Sequence, residues 1–239
     1  MAGGMNRGDR FGGVLRAWRR GSALAGLALG IASSGGCPPA TGGAAGETPP
    51  PASDLARDTT SGRLIPAGFG SLRQEDLSIT VQAGRLLVRA LPLDESIIRV
   101  LAPDTYRSLH EVHESRRAEI AGVASRYGVR GFSAWHVQFF ALEPDVRFTP
   151  MDIVISSVGR DFRPLQILAL TPGFGQNRLG QREVQTAVYL FDEGVDVNQP
   201  LALTVEAVRN STWQETLRLI ERERAAVRIR AGRSAPPPG

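Results

Sequence analysis

"LSITVQAGRLLVRAL", residues 77–91, sets the fold class. Leu77, Ile79 and Val81 alternate with Ser78, Thr80 and Gln82, the period of a strand with one buried face. Gly84 offers a tight turn and the chain returns as an apolar strand, so the stretch predicts a β-hairpin. The period then changes. Asp94 is placed to cap a short helix in "ESIIRVL", and Pro103-Asp104 breaks the chain and starts another. Strong helix formers run from Thr105 to Tyr127 and stop at Gly128. Leu109, Val112, Ile120, Val123 and Tyr127 mark the stripe by which this helix is expected to pack.

Strands resume beyond Gly131. "FSAWHVQFFAL" is aromatic-rich, "MDIVISSV" is β-branched, "PLQILAL" and "EVQTAVYLF" are apolar runs, and "LALTVEA" alternates. Glu143-Pro144-Asp145, Val158-Gly159, Thr171-Pro172-Gly173 and "DEGVDVNQP" punctuate them as turns. Short, evenly spaced strands of this kind suggest an antiparallel β-sandwich, with an immunoglobulin-like arrangement among the options. The long helix after the first hairpin makes the class α+β. A C-terminal amphipathic helix, marked by Trp213, Leu217, Ile220 and Val227, completes the expected fold.

All basic side chains are arginine, without a single lysine, which a GC-rich coding sequence explains more simply than a special role for guanidinium. Residues 1–36 hold five arginines and one acid, so they carry the whole net charge of +4 and the remainder is formally neutral. A nucleic-acid binder concentrates its basic surplus in the folded part, so this class is set aside.

The amino terminus has its own pattern. An acid-poor, arginine-rich stretch precedes "SALAGLALGIA", residues 22–32, which is too short to span a bilayer and suits the apolar core of a signal peptide. "SSGG" and Cys37, the only cysteine, follow. This order resembles the signal peptide of a bacterial lipoprotein, with Ser34 where that family usually has an aliphatic residue. The resemblance is confined to this segment. It implies cleavage before Cys37 and lipidation of its sulfur, which would explain both the number and the position of the thiol. Pro38 stands where an aspartate commonly retains such proteins at the inner membrane, so the resemblance implies the outer membrane of a diderm cell, on its periplasmic face or at the cell surface. The alternative is an ordinary secretory signal, with Ala32 and Ser34 at the cleavage site, which would leave a secreted or periplasmic protein. The expected organisation is a signal peptide over 1–36, a Pro/Gly/Ala/Thr-rich tether over 37–61, a β-rich globular domain over 62–231 and a disordered tail over 232–239.

Phosphate loops, dinucleotide fingerprints, zinc-finger spacings and nucleophile elbows are missing from the sequence. His110 and His113 share a helix, and His136 is a possible third metal ligand, although a polar helix face accounts for the pair. Asp192, Glu193, Asp196 and Asn198 supply loop oxygens that suit calcium or merely a turn. No metal, cofactor or catalytic residue is therefore assigned. The loop "TPGFGQNRLGQRE", residues 171–183, sets Phe174, expected to be exposed, between Arg178 and Arg182, and is the candidate partner-binding tip. A plain connection is its competitor. Arginines on the C-terminal helix offer contact with anionic lipid, or simply a solvated face with Glu215, Glu221 and Glu223 pairing to Arg218 and Arg224. Together these features suggest a lipid-anchored cell-envelope protein with a non-catalytic binding or structural module for an unknown protein or envelope component. The alternative is a periplasmic hydrolase or metal-dependent enzyme without a recognisable motif.

Overall fold

The structure is a computed structural model that describes residues 64–234. The expected signal peptide, Cys37 and the tether through residue 61 lie outside the described residues, as do residues 235–239.

The hairpin forms as expected. Strands β1 (Ile79–Ala83) and β2 (Leu86–Pro92) pair antiparallel, with Val81 opposite Val88, and Gly84 takes the left-handed φ of 56° that the turn needs. Leu77 closes a one-turn helix, α1 (Gln74–Leu77), and is buried, so the alternating apolar pattern begins two residues before the strand itself. Asp94 caps α2 (Glu95–Ile98) by accepting the Ser96 N–H at 2.8 Å. Pro103 opens α3 (Pro103–Tyr127), and Gly128 closes it with a φ of 67°. On α3, Leu109 and Val123 are buried and Val112 and Ile120 half-buried. Tyr127 corrects the expected stripe: it is 49% exposed, because the last turn passes the edge of the core and its hydroxyl donates to the Leu165 carbonyl at 3.0 Å.

The aromatic run becomes β3 (Phe132–Ala141), the centre of a five-stranded antiparallel sheet in the order β1-β2-β3-β9-β7, with β7 (Gln166–Ala169) and β9 (Val184–Asp192). A second antiparallel sheet runs β11-β10-β5-β6, built from β5 (Ile153–Ser157), β6 (Arg160–Phe162), β10 (Leu201–Val205) and β11 (Val208–Asn210). A third, minor ladder joins β4 (Val146–Arg147) to β8 (Arg178–Leu179). The described residues are thus α+β with antiparallel sheets. The Asn210 side chain donates to the Thr80 carbonyl at 2.7 Å and bridges β11 to β1, and the buried residues of both larger sheets belong to one apolar cluster.

Strand alternation divides β3 into two faces. Trp135, Val137 and Phe139 lie on one, where Phe139 packs against Phe148 and Phe174 at ring separations of 4.5 and 5.8 Å. His136 lies on the other, opposite Leu91 and Val188 in the register. The C-terminal helix, α4 (Trp213–Ser234), sends Trp213 to the first face, 6.3 Å from Trp135 between ring centres. Ile220 and Val227 continue its buried stripe. The helix includes residues 232–234.

Candidate functional site

The short capped helix α2 brings together the most densely connected polar groups. Glu95, in its first turn, accepts from Arg99 Nε at 2.6 Å and from the Tyr106 hydroxyl at 3.2 Å through Oε2. Its Oε1 lies 2.7 Å from His110 Nδ1. The Tyr106 ring stacks on the His110 ring at 5.4 Å, and Arg99 also donates to the Ile65 carbonyl. Burial by itself would raise the Glu95 pKa, but hydrogen bonds from Arg99 and His110 outweigh it and hold the carboxyl below its ordinary value. Burial and the Glu95 charge push the Tyr106 phenol up. This is an ionised carboxylate held in one orientation by three neighbours.

A pocket of about 560 Å³ opens beside it, lined by Asp94, Glu95, His113 and Asn198 with Leu93 and Phe132 as apolar walls. Both serines at the pocket are committed. The Ser96 hydroxyl donates to Asp94 Oδ1 at 2.5 Å, and Ser133 Oγ accepts the Trp135 indole N–H at 2.9 Å. Neither stands hydrogen-bonded to a histidine as an activated nucleophile would.

The three histidines have different fates. His110 belongs to the Glu95 network, His113 lines the pocket, and His136 is buried in the five-stranded sheet at 7% exposure. Among the described residues no group of three or more His, Cys, Asp or Glu side chains is placed to hold a metal ion. His136 Nδ1 has no hydrogen-bond partner among them, and burial lowers the His136 pKa from 6.5 to about 4. The unfolded chain therefore binds a proton between those values that the folded chain refuses. The stability this represents is full above the unfolded pKa and is lost as pH falls toward 4, with no further loss below it. The loss should reach about 3 kcal/mol. Urea midpoints at pH 7 and pH 4.5 should differ much more in the native chain than in His136→Leu; equal differences would refute the assignment.

The loop at 171–183 is not the exposed tip that its composition suggested. Phe174 is only 5% exposed, in a 3-10 turn over Phe174–Gln176 that seats its ring edge-on against the stacked rings of Phe139 and Phe148, so the premise of an exposed aromatic is corrected. Leu179 is buried on β8, and Arg178 is held by Asp145. Arg182 stands exposed at a φ of 59°. The apolar contacts of Phe174 and Leu179 draw the loop onto the core and leave two separated arginines outside.

In the 191–198 segment, Asp192 Oδ1 accepts the Gly194 N–H and Asp196 Oδ1 accepts the Asn198 N–H, both within the loop's own turns, while Glu193 pairs with Arg130. On α4 the expected pairing of Glu221 with Arg224 forms at 2.5 Å. Glu223 turns inward instead to accept from Ser71 and Arg230.

Comparison of the chain with protein families, curated proteins and solved structures gave no match. Sequence reading identified the histidines and Asp94 but missed Glu95, Arg99 and Tyr106 as one cluster. The i,i+4 spacing of Glu95 and Arg99 was the available signal.

Proposed function

We propose that the chain is a cell-envelope protein anchored to a membrane through an acylated Cys37, at the outer membrane on its periplasmic face or at the cell surface, and that its β-rich domain is a non-catalytic binding module. The order of charge, short apolar run, small residues and cysteine supports the anchor. The binding half rests on the pocket beside α2, where Glu95 is held from behind by Arg99 and His110, Ser96 is bonded to Asp94 and Ser133 accepts from Trp135. A preorganised wall of this kind recognises a ligand without reorganising. The larger sheets, with one shared apolar cluster, are read as the layers of an antiparallel sandwich.

The Glu95–His110 pair is the observation that favours the alternative, a hydrolase, since a carboxylate that orients a histidine also serves general-base catalysis. The committed serines weigh against it. Two measurements test the proposal. Cys37→Ser should move the protein out of the membrane fraction or leave an uncut precursor; normal processing with unchanged partition would refute the anchor. A photo-crosslinking residue in place of His113 should yield a discrete adduct in intact cells. Turnover of an ester or amide substrate that is abolished by His110→Gln would establish the enzyme instead.

A further inference from the structure

We infer that the groove along α4 is a seat for the phosphate head group of an anionic phospholipid. This helix carries six arginines and three glutamates in a folded part that is otherwise close to electroneutral, so it concentrates positive charge. Two of the three acids are spent: Glu223 is turned inward onto Ser71 and Arg230, and Glu221 is tied to Arg224. Arg218 and Arg222 stand exposed on successive turns, about 6 Å apart along the axis, with no acid paired to either among the described residues.

Both line a groove of about 590 Å³ together with Gln214, Asn198 and the Glu221–Arg224 ion pair, over the apolar side chain of Leu217. Arg224 is only 5% exposed and is fixed twice, by donating to the Ser96 carbonyl at 2.6 Å and by its ion pair with Glu221 at 2.5 Å. Glu221 is thereby neutralised, which leaves the unpaired guanidiniums of Arg218 and Arg222 as the charge of the groove, and these fit an anion with several acceptor oxygens. Guanidinium forks bind phosphate oxygens in pairs. Leu217 and Pro200 suit the glyceryl and upper acyl carbons that follow a phospholipid phosphate, which a free inorganic phosphate would leave uncovered. The surface is distinct from the pocket beside α2, although Asn198 borders both.

The inference complements the membrane-anchor reading but is tested without the anchor. The full chain carrying Cys37→Ser is mixed with vesicles of phosphatidylcholine alone, or with a third of phosphatidylglycerol, and sedimented. Binding is expected to require phosphatidylglycerol and to weaken as salt rises. Adding Arg218→Gln and Arg222→Gln should weaken it by about tenfold or more, with the thermal midpoint unchanged, because both side chains are exposed. Arg218→Lys with Arg222→Lys should recover part of the loss. Equal sedimentation with both vesicle types, or no effect of the double glutamine change, would overturn the inference. Equally tight binding of glycerol phosphate in free solution would overturn the assignment to a membrane lipid. None of these outcomes depends on whether Cys37 is acylated, so the anchor and the groove fail separately.

Discussion

Trp213→Ala is expected to lower stability by about 4 kcal/mol, read as a shift in urea midpoint at constant slope. The indole is fully buried at the first turn of α4 and stands at 6.3 Å from Trp135, which in turn meets Phe191 edge-on at 6.3 Å. Truncation removes one of the largest side chains from this cluster and leaves a cavity that the fixed rings around it cannot fill by collapse. It also strands the Val197 carbonyl, which accepts the indole N–H at 2.9 Å in a buried bond. Trp213→Phe separates the two causes. It keeps most of the apolar volume and should lose only about 1–2 kcal/mol, the cost of leaving one buried acceptor unmade. A loss below about 1 kcal/mol for the alanine change would mean that α4 is not seated on the sheet through this residue. The consequence reaches both candidate surfaces, because Val197 precedes Asn198, which borders the pocket and the groove alike.

The elements that were legible in the sequence are those governed by local rules. Alternation identified β1 and β2, Asp94 and Gly128 marked helix ends, and the 3.6-residue period of Trp213, Ile220 and Val227 gave the inner face of α4. Short strands escaped notice. In β4, β6, β8 and β11 only two or three residues pair, too few for a period to emerge, and β4 and β8 find each other only across some thirty residues of chain. Phe174 was misread for the same reason. Glycine and polar residues around it describe a loop, but Phe139 and Phe148, which bury it, come from a strand and from a loop that lie before it in the chain. The Glu95 cluster shows both cases at once: Arg99 is one helical turn away and foreseeable, while His110 arrives only because α3 folds back along α2.

Gly70→Ala should destabilise the domain by at least about 3 kcal/mol, at or beyond the upper end of overpacking costs. A methyl group at this position would stand 2.2 Å from the carbonyl carbon and oxygen of Val100 and from the carbonyl oxygen of Leu101. These are backbone atoms at the end of α2, so no side-chain rotation relieves the clash. The strand-like segment around Gly70 must move away, and several bonds go with it. Leu72 donates to the Val100 carbonyl at 3.2 Å, Ala102 donates to the Leu72 carbonyl at 2.9 Å, and Ser71 holds Glu223 through its N–H and its hydroxyl. Arg99 loses its grip on the Ile65 carbonyl if that strap lifts, and with it part of the restraint that orients Glu95. Gly68→Ala is the control: nothing lies within 4 Å of a methyl group there, and only its φ of 84° resists the change, so its cost should stay near 1 kcal/mol. Thermal melts of the two variants should differ widely, and protease cleavage near residue 70 should rise in Gly70→Ala alone. Equal melts would mean that the strap does not lie on α2, and the pocket wall formed by Leu64 would fall with it.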